Sequence, residues 1–166
     1  MDFNMYVPTK ILFGAGTLNE LGKQQLPGKK AVIIISNGKS TRANGYLSRT
    51  EEQLAQADVA TSVFDKIQPN PLKETVMEGA AFVKAQGADF IVALGGGSVI
   101  DSAKAIAVMA ANPGDLWDYI ASGTGKGQPI KNKPLPIVAI STTASKSANS
   151  HSTSCARKTS ATSLPR

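Results

Sequence analysis

Phe90-Ile91-Val92-Ala93-Leu94-Gly95-Gly96-Gly97-Ser98-Val99-Ile100-Asp101-Ser102-Ala103-Lys104 decides how this chain folds. Its first five residues are an apolar run of β type. From Val99 to Ala111 the chain is Ala-rich, free of Gly and Pro, and a good helix former. Three consecutive glycines therefore stand where a buried strand turns into a helix. Glycine adopts dihedrals closed to other residues and lets a second molecule approach the backbone. The first N–H groups of a helix lack intrahelical partners and lie at the positive end of its dipole. Together these features make a seat for an anion, most often a nucleotide phosphate. A plainer reading competes: the glycines only let the helix pack closely on the sheet, and Ser98 with Asp101 forms a Ser-x-x-Asp capping box. In that reading Lys104 pairs with Asp101 across i,i+3. An aspartate this near a pyrophosphate is useful only if it turns to sugar hydroxyls or holds the loop.

Working outward, Ala31-Val32-Ile33-Ile34-Ile35 is a second continuous apolar run, as expected for a strand covered on both faces. Val59–Phe64 and Ile137–Ile140 read as further strands. Between them, helices are expected over Leu47–Gln56 and on the face made by Leu72, Val76, Ala80 and Val83, with Gly87 as its C-terminal glycine. Asn112-Pro113-Gly114 stops the helix after the glycine loop, and a turn or two follows around Trp117 and Tyr119. At the start, Phe3, Met5 and Val7, then Ile11 and Phe13, alternate with polar neighbours and predict a β-hairpin. Thr17-Leu18-Asn19-Glu20 reads as a capping box opening a short helix that Pro27-Gly28 closes. Strands alternating with helices at about 30-residue spacing indicate parallel βαβ units. The expected fold is α/β, a three-layer Rossmann-like domain with a mostly parallel sheet and an N-terminal hairpin. Nucleotides bind such folds beyond the carboxyl ends of the strands. Four loops fall there: Ser36-Asn37-Gly38, Gln68-Pro69-Asn70-Pro71, the glycine loop and Ser141-Thr142-Thr143.

The chain has 166 residues, 42% of them hydrophobic, enough for one domain with a real core. No apolar run has the length of a membrane span, and no secretory leader is recognisable, so a cytoplasmic protein is expected. One cysteine, Cys155, excludes an intrachain disulfide and a cysteine-rich zinc site. The net charge of +6 is unevenly spread: residues 1–118 hold 11 Lys+Arg against 12 Asp+Glu, whereas residues 119–166 hold 7 Lys+Arg and no acid. A solvated basic tail explains this better than a nucleic-acid surface. Thirteen of the last 26 residues are Ser or Thr, and no apolar periodicity survives there. Residues 145–166 are therefore expected to form a disordered tail, with the domain ending at 144.

Other motifs fail on inspection. Gly38-Lys39-Ser40 resembles the end of a P-loop, but Ile33 stands where its first glycine belongs, and Gly123-Thr124-Gly125-Lys126 fails in the same way. His151 is the only histidine, four residues before Cys155 in the Ser/Thr-rich tail, too little for a metal site or a catalytic triad.

The chain resembles the nucleotide-binding half of the iron-containing (group III) alcohol dehydrogenases. The similar segments are Val7–Gly16, Gln68-Pro69-Asn70-Pro71, Gly95–Lys104 and Pro136–Ala144. The resemblance implies an NAD(P)-binding domain with Gly96, Gly97 and Ser98 around the pyrophosphate and Asn70, Thr142 and Thr143 flanking the rest of the dinucleotide. Asn37 and Asp101 complete the candidate set. In NAD-preferring members an aspartate often follows the first buried strand and repels a 2′-phosphate. Asn37 stands in that place and is neutral, which leaves NADP use or relaxed choice open, with Lys39 or Arg42 as the positive partner. The resemblance further implies a small alcohol or aldehyde as substrate of the full-length family, and Fe²⁺ or sometimes Zn²⁺ held there by a helical second domain.

Ser145-Lys146-Ser147-Ala148-Asn149 departs from the family's glycine-rich continuation, and His151 matches none of the family's metal ligands. The expectation is a truncated or frameshifted nucleotide-binding half, without that metal domain and inactive alone, able at most to bind nucleotide. One uncovered flank of the sheet would favour a homo-oligomer. The alternatives are a stand-alone nucleotide- or phosphate-binding module and an interaction protein using the basic end.

Overall fold

The computed structural model describes residues 8–142. Four parallel strands form one sheet in the order β2-β1-β3-β4: β1 (Lys30–Ser36), β2 (Ala60–Ile67), β3 (Phe90–Gly95) and β4 (Ile137–Ser141). The helices are α1 (Ser40–Ala43), α2 (Tyr46–Gln56), α3 (Lys73–Gln86), α4 (Gly97–Ala111) and α5 (Leu116–Tyr119), preceded by a 3-10 helix at Thr17–Lys23.

The two central strands are buried on both faces, which is why they read as unbroken apolar runs. Alternate residues feed two cores. Val32, Ile34, Ile91 and Ala93 meet Val76, Ala80 and Val83 of α3 and Val99, Ala103 and Ile106 of α4. Ala31, Ile33, Ile35, Phe90, Val92 and Leu94 meet Leu21 of the 3-10 helix and Leu47 and Leu54 of α2. Helix layers thus cover both sides, as the sequence predicts. Burying a side chain such as Leu54 completely stabilises the fold by about 1.5–3 kcal/mol. Asn112 brackets the way into β4: its side chain donates to Val108 O and Asn132 O and accepts from Asn132 N.

The four strands expected of the parallel sheet are present, each within a few residues of its predicted span. Gly87 ends α3 at φ 59°, in the left-handed region where glycine belongs.

Several local expectations are corrected. The N-terminal helix is a 3-10 helix whose N-cap is Gly16 at φ 78°, not Thr17; the Thr17 hydroxyl bonds back to Gly14 O. It ends at Lys23, before Pro27-Gly28. Leu72 is the N-cap of α3 and is extended (φ −88°, ψ 149°), so it stands outside the helical face made by Val76, Ala80 and Val83 and is exposed. Ser40–Ala43, between the Ser36-Asn37-Gly38 loop and the Leu47–Gln56 helix, forms a short helical turn of its own. The predicted hairpin falls partly on residues 1–7, outside the described residues; its other half, Pro8–Phe13, lies in no strand, and Ile11, Leu12 and Phe13 are exposed. The tail expected from 145 onward also lies outside the described residues.

Candidate functional site

The chain leaves β1 through α1 and α2 on one face of the sheet and leaves β3 through α4 on the other. Adjacent strands whose exits diverge open a crevice beyond their carboxyl ends. Asn37 and Gly38 follow β1 on one side of it, and Gly96, Gly97 and Ser98 follow β3 on the other.

Each glycine of the loop answers a different demand. Gly95 ends the strand, and a Cβ there would stand 2.7 Å from Cγ2 of Val99, so close packing of α4 accounts for it. Gly96 is extended (φ −87°, ψ −169°) and is the N-cap; its carbonyl accepts from Val99 N and Ile100 N, both at 3.1 Å. Gly97 begins the helix, and a Cβ on it would meet no protein atom within 4 Å. Protein packing therefore explains Gly95 and leaves Gly97 unexplained. The N–H groups of Gly97 and Ser98 precede the first helical bond and have no acceptor within the helix.

The expected Ser98–Asp101 capping box is not formed. The helix starts at Gly97, so Ser98 lies inside its first turn, and no side chain caps the helix. Asp101 instead pairs with Lys104 at 3.0 Å, both well exposed, as i,i+3 spacing permits. Ser102, buried behind the loop, donates its hydroxyl to Ser98 O at 2.7 Å.

Thr142 is drawn to the loop by its N–H, which bonds Gly95 O at 3.1 Å. Asn37 is exposed, its N–H held by Ile67 O at 2.9 Å. Asn70 sits in the left-handed region at φ 55°, a conformation Asn tolerates. Its loop follows β2, two strands from the glycine loop, so it borders the same edge without adjoining Gly96 or Gly97. Thr143 lies outside the described residues. Arg42 Nη2 is engaged by Asp65 Oδ2 at 2.8 Å, whereas Lys39 is exposed and forms no ion pair among the described residues. Asp65 carried no signal in the sequence, because its partner is 23 positions away.

The model of the family described as iron-containing alcohol dehydrogenase matches residues 8–163. The chain belongs to the iron-containing alcohol dehydrogenase family. Among its relatives, the probable NADH-dependent butanol dehydrogenase 1 of Bacillus subtilis is 38% identical over 137 residues, covering 82% of this chain and 35% of the relative. The NADPH-dependent aldehyde reductase YqhD of Escherichia coli is 37% identical over 133 residues, covering 79% and 33%. Among solved structures, the NADH-dependent butanol dehydrogenase A of Thermotoga maritima aligns with a TM-score of 0.72 and 31% identity, over 83% of this chain and 34% of that one. The archaeal Red Sea brine pool alcohol dehydrogenase ADH/D1 aligns with a TM-score of 0.77 and 35% identity, over 85% and 36%. The chain thus spans about 35% of the length of the first of these relatives.

The family name implies iron. Among the described residues no three His, Cys, Asp or Glu side chains gather where they could hold a metal ion, so these residues do not fit one. At the glycine loop the space beside Gly97 is open, so no side chain blocks a group that approaches that backbone.

Proposed function

We propose that residues 8–142 seat the coenzyme of an NAD(P)-dependent oxidoreductase that interconverts small alcohols and aldehydes. The open space at Gly97 is the observation that carries this reading, since a glycine that packing does not require is what close approach of a pyrophosphate needs. In this reading the amides of Gly97 and Ser98, with the Gly96 backbone, meet the phosphates at the start of α4. Asn37 meets the ribose on the β1 side. Thr142 borders the nicotinamide end beside β4, while Asn70 and Asp101 supply outer contacts to the sugars or hold the loops. The bound nicotinamide would supply the hydride acceptor or donor. Relatives bearing NADH and NADPH in their names support either coenzyme.

The described residues on their own support binding rather than turnover. Fe²⁺ or Zn²⁺ belongs in this proposal to the full-length family only. We also propose a cytoplasmic homo-oligomer. The exposed Ile11, Leu12 and Phe13 and the half-buried edge strand β4 support self-association. No helix among the described residues is long and apolar enough to cross a membrane.

Calorimetric titration of the purified chain with NADH and with NADPH tests the reading. One saturable site is expected for at least one of them; no binding of either overturns it.

A further inference from the structure

We propose that Asp65 sets the coenzyme preference of this seat by withholding Arg42 from it, so that Lys39 alone meets the ribose 2′ position. The inference rests on the coenzyme reading above. In a nucleotide fold of this kind the ribose lies at the end of the strand next to the glycine loop, where a carboxylate selects the free hydroxyl and a cation accommodates a 2′-phosphate. Here that strand is β1, followed by Asn37, Gly38 and Lys39. Asn37 raises no charge barrier to a phosphate. Lys39 precedes α1 in helical conformation, and Arg42 follows three positions on, so the two cations project from one side of the same turn.

Their fates differ. Lys39 is exposed and forms no ion pair among the described residues, while Arg42 is bonded to Asp65 on the neighbouring edge strand at 2.8 Å. Both partners of that pair are 51% exposed, so the pair is worth little and the change in preference that its loss produces is correspondingly modest. Asp65 therefore lowers the advantage that NADPH would gain from two cations, without contributing to the seat of NADH.

The test is calorimetric titration of the full chain with NADPH and NADH at low salt, scored as the ratio of their dissociation constants. In Asp65→Asn the ratio should move toward NADPH by about two- to fivefold, the range an exposed ion pair supplies. Arg42→Ala alone should leave the ratio near that of the parent. Asp65→Asn combined with Arg42→Ala should cancel the gain, and Lys39→Ala should move the ratio toward NADH. An unchanged ratio in Asp65→Asn overturns the proposal. So does a gain that persists in the double variant, which would trace it to the charge of Asp65 itself. Asp65→Ser provides a second neutral variant at this exposed position. A parent chain that binds neither coenzyme overturns the seat itself, and this inference with it. A parent that binds NADH but gives a flat ratio across the variants overturns only the role of Asp65.

Discussion

A Cβ placed on Gly95 would stand 2.7 Å from Cγ2 of Val99, so the end of β3 and the first turn of α4 meet with no room for a methyl group. Val99 is buried, and a β-branched side chain in a helix has essentially one χ1 well to occupy. It has nowhere to turn. Gly95→Ala should cost about 1–3 kcal/mol, as overpacking of a tight core does. Urea unfolding followed by circular dichroism measures this, and unchanged stability would mean that α4 is not packed on β3 as described.

The opposite, amino-terminal ends of the two central strands depend on Asp89. Its Oδ2 accepts the N–H groups of Lys29 (2.8 Å) and Lys30 (2.9 Å), fixing the start of β1 against that of β3. These two backbone hydrogen bonds hold the carboxyl below its ordinary value of 3.8, helped by the charge of Lys30 and opposed by desolvation. A carboxyl depressed in the folded state stabilises the fold above its unfolded pKa, and that stability is lost as pH falls through the folded value. Acid unfolding of the parent should therefore steepen below about pH 4. Asp89→Asn should be less stable than the parent at neutral pH and show less of this dependence. Parallel profiles for the two proteins would contradict the role given to Asp89.

How much of this was readable in the sequence follows from how far each feature reaches along the chain. The strands Ala31–Ile35 and Phe90–Leu94 were legible because burial on both faces leaves an unbroken apolar run. Gly87 was legible because an αL cap wants glycine. The cap at Gly16 was not: Thr17-Leu18-Asn19-Glu20 matches a capping box in composition, but the chain enters that helix through a left-handed residue one position earlier. The Ser98–Asp101 box failed for a related reason, since α4 begins one residue before Ser98 and takes it into the first turn. Four-residue α1 is too short to show periodicity. The glycine loop announced a close approach, but only the fold separates Gly95, required by Val99, from Gly97, required by nothing in the protein. Arg42 was a visible cation at the candidate site, and its capture by Asp65 depends on strand order, which no local pattern encodes.

The most direct measurement is Gly97→Ala, assayed for both folding and binding. Gly97 is helical, and its added methyl would meet no protein atom within 4 Å. Folding stability should therefore stay level or rise by up to about 1 kcal/mol. If phosphates lie against this backbone, the same methyl stands in their place, and affinity for NADH or NADPH should fall by at least about tenfold, or 1.4 kcal/mol. A stable variant that has lost its coenzyme is the predicted result. A variant that keeps full affinity would contradict the dinucleotide seat at the start of α4.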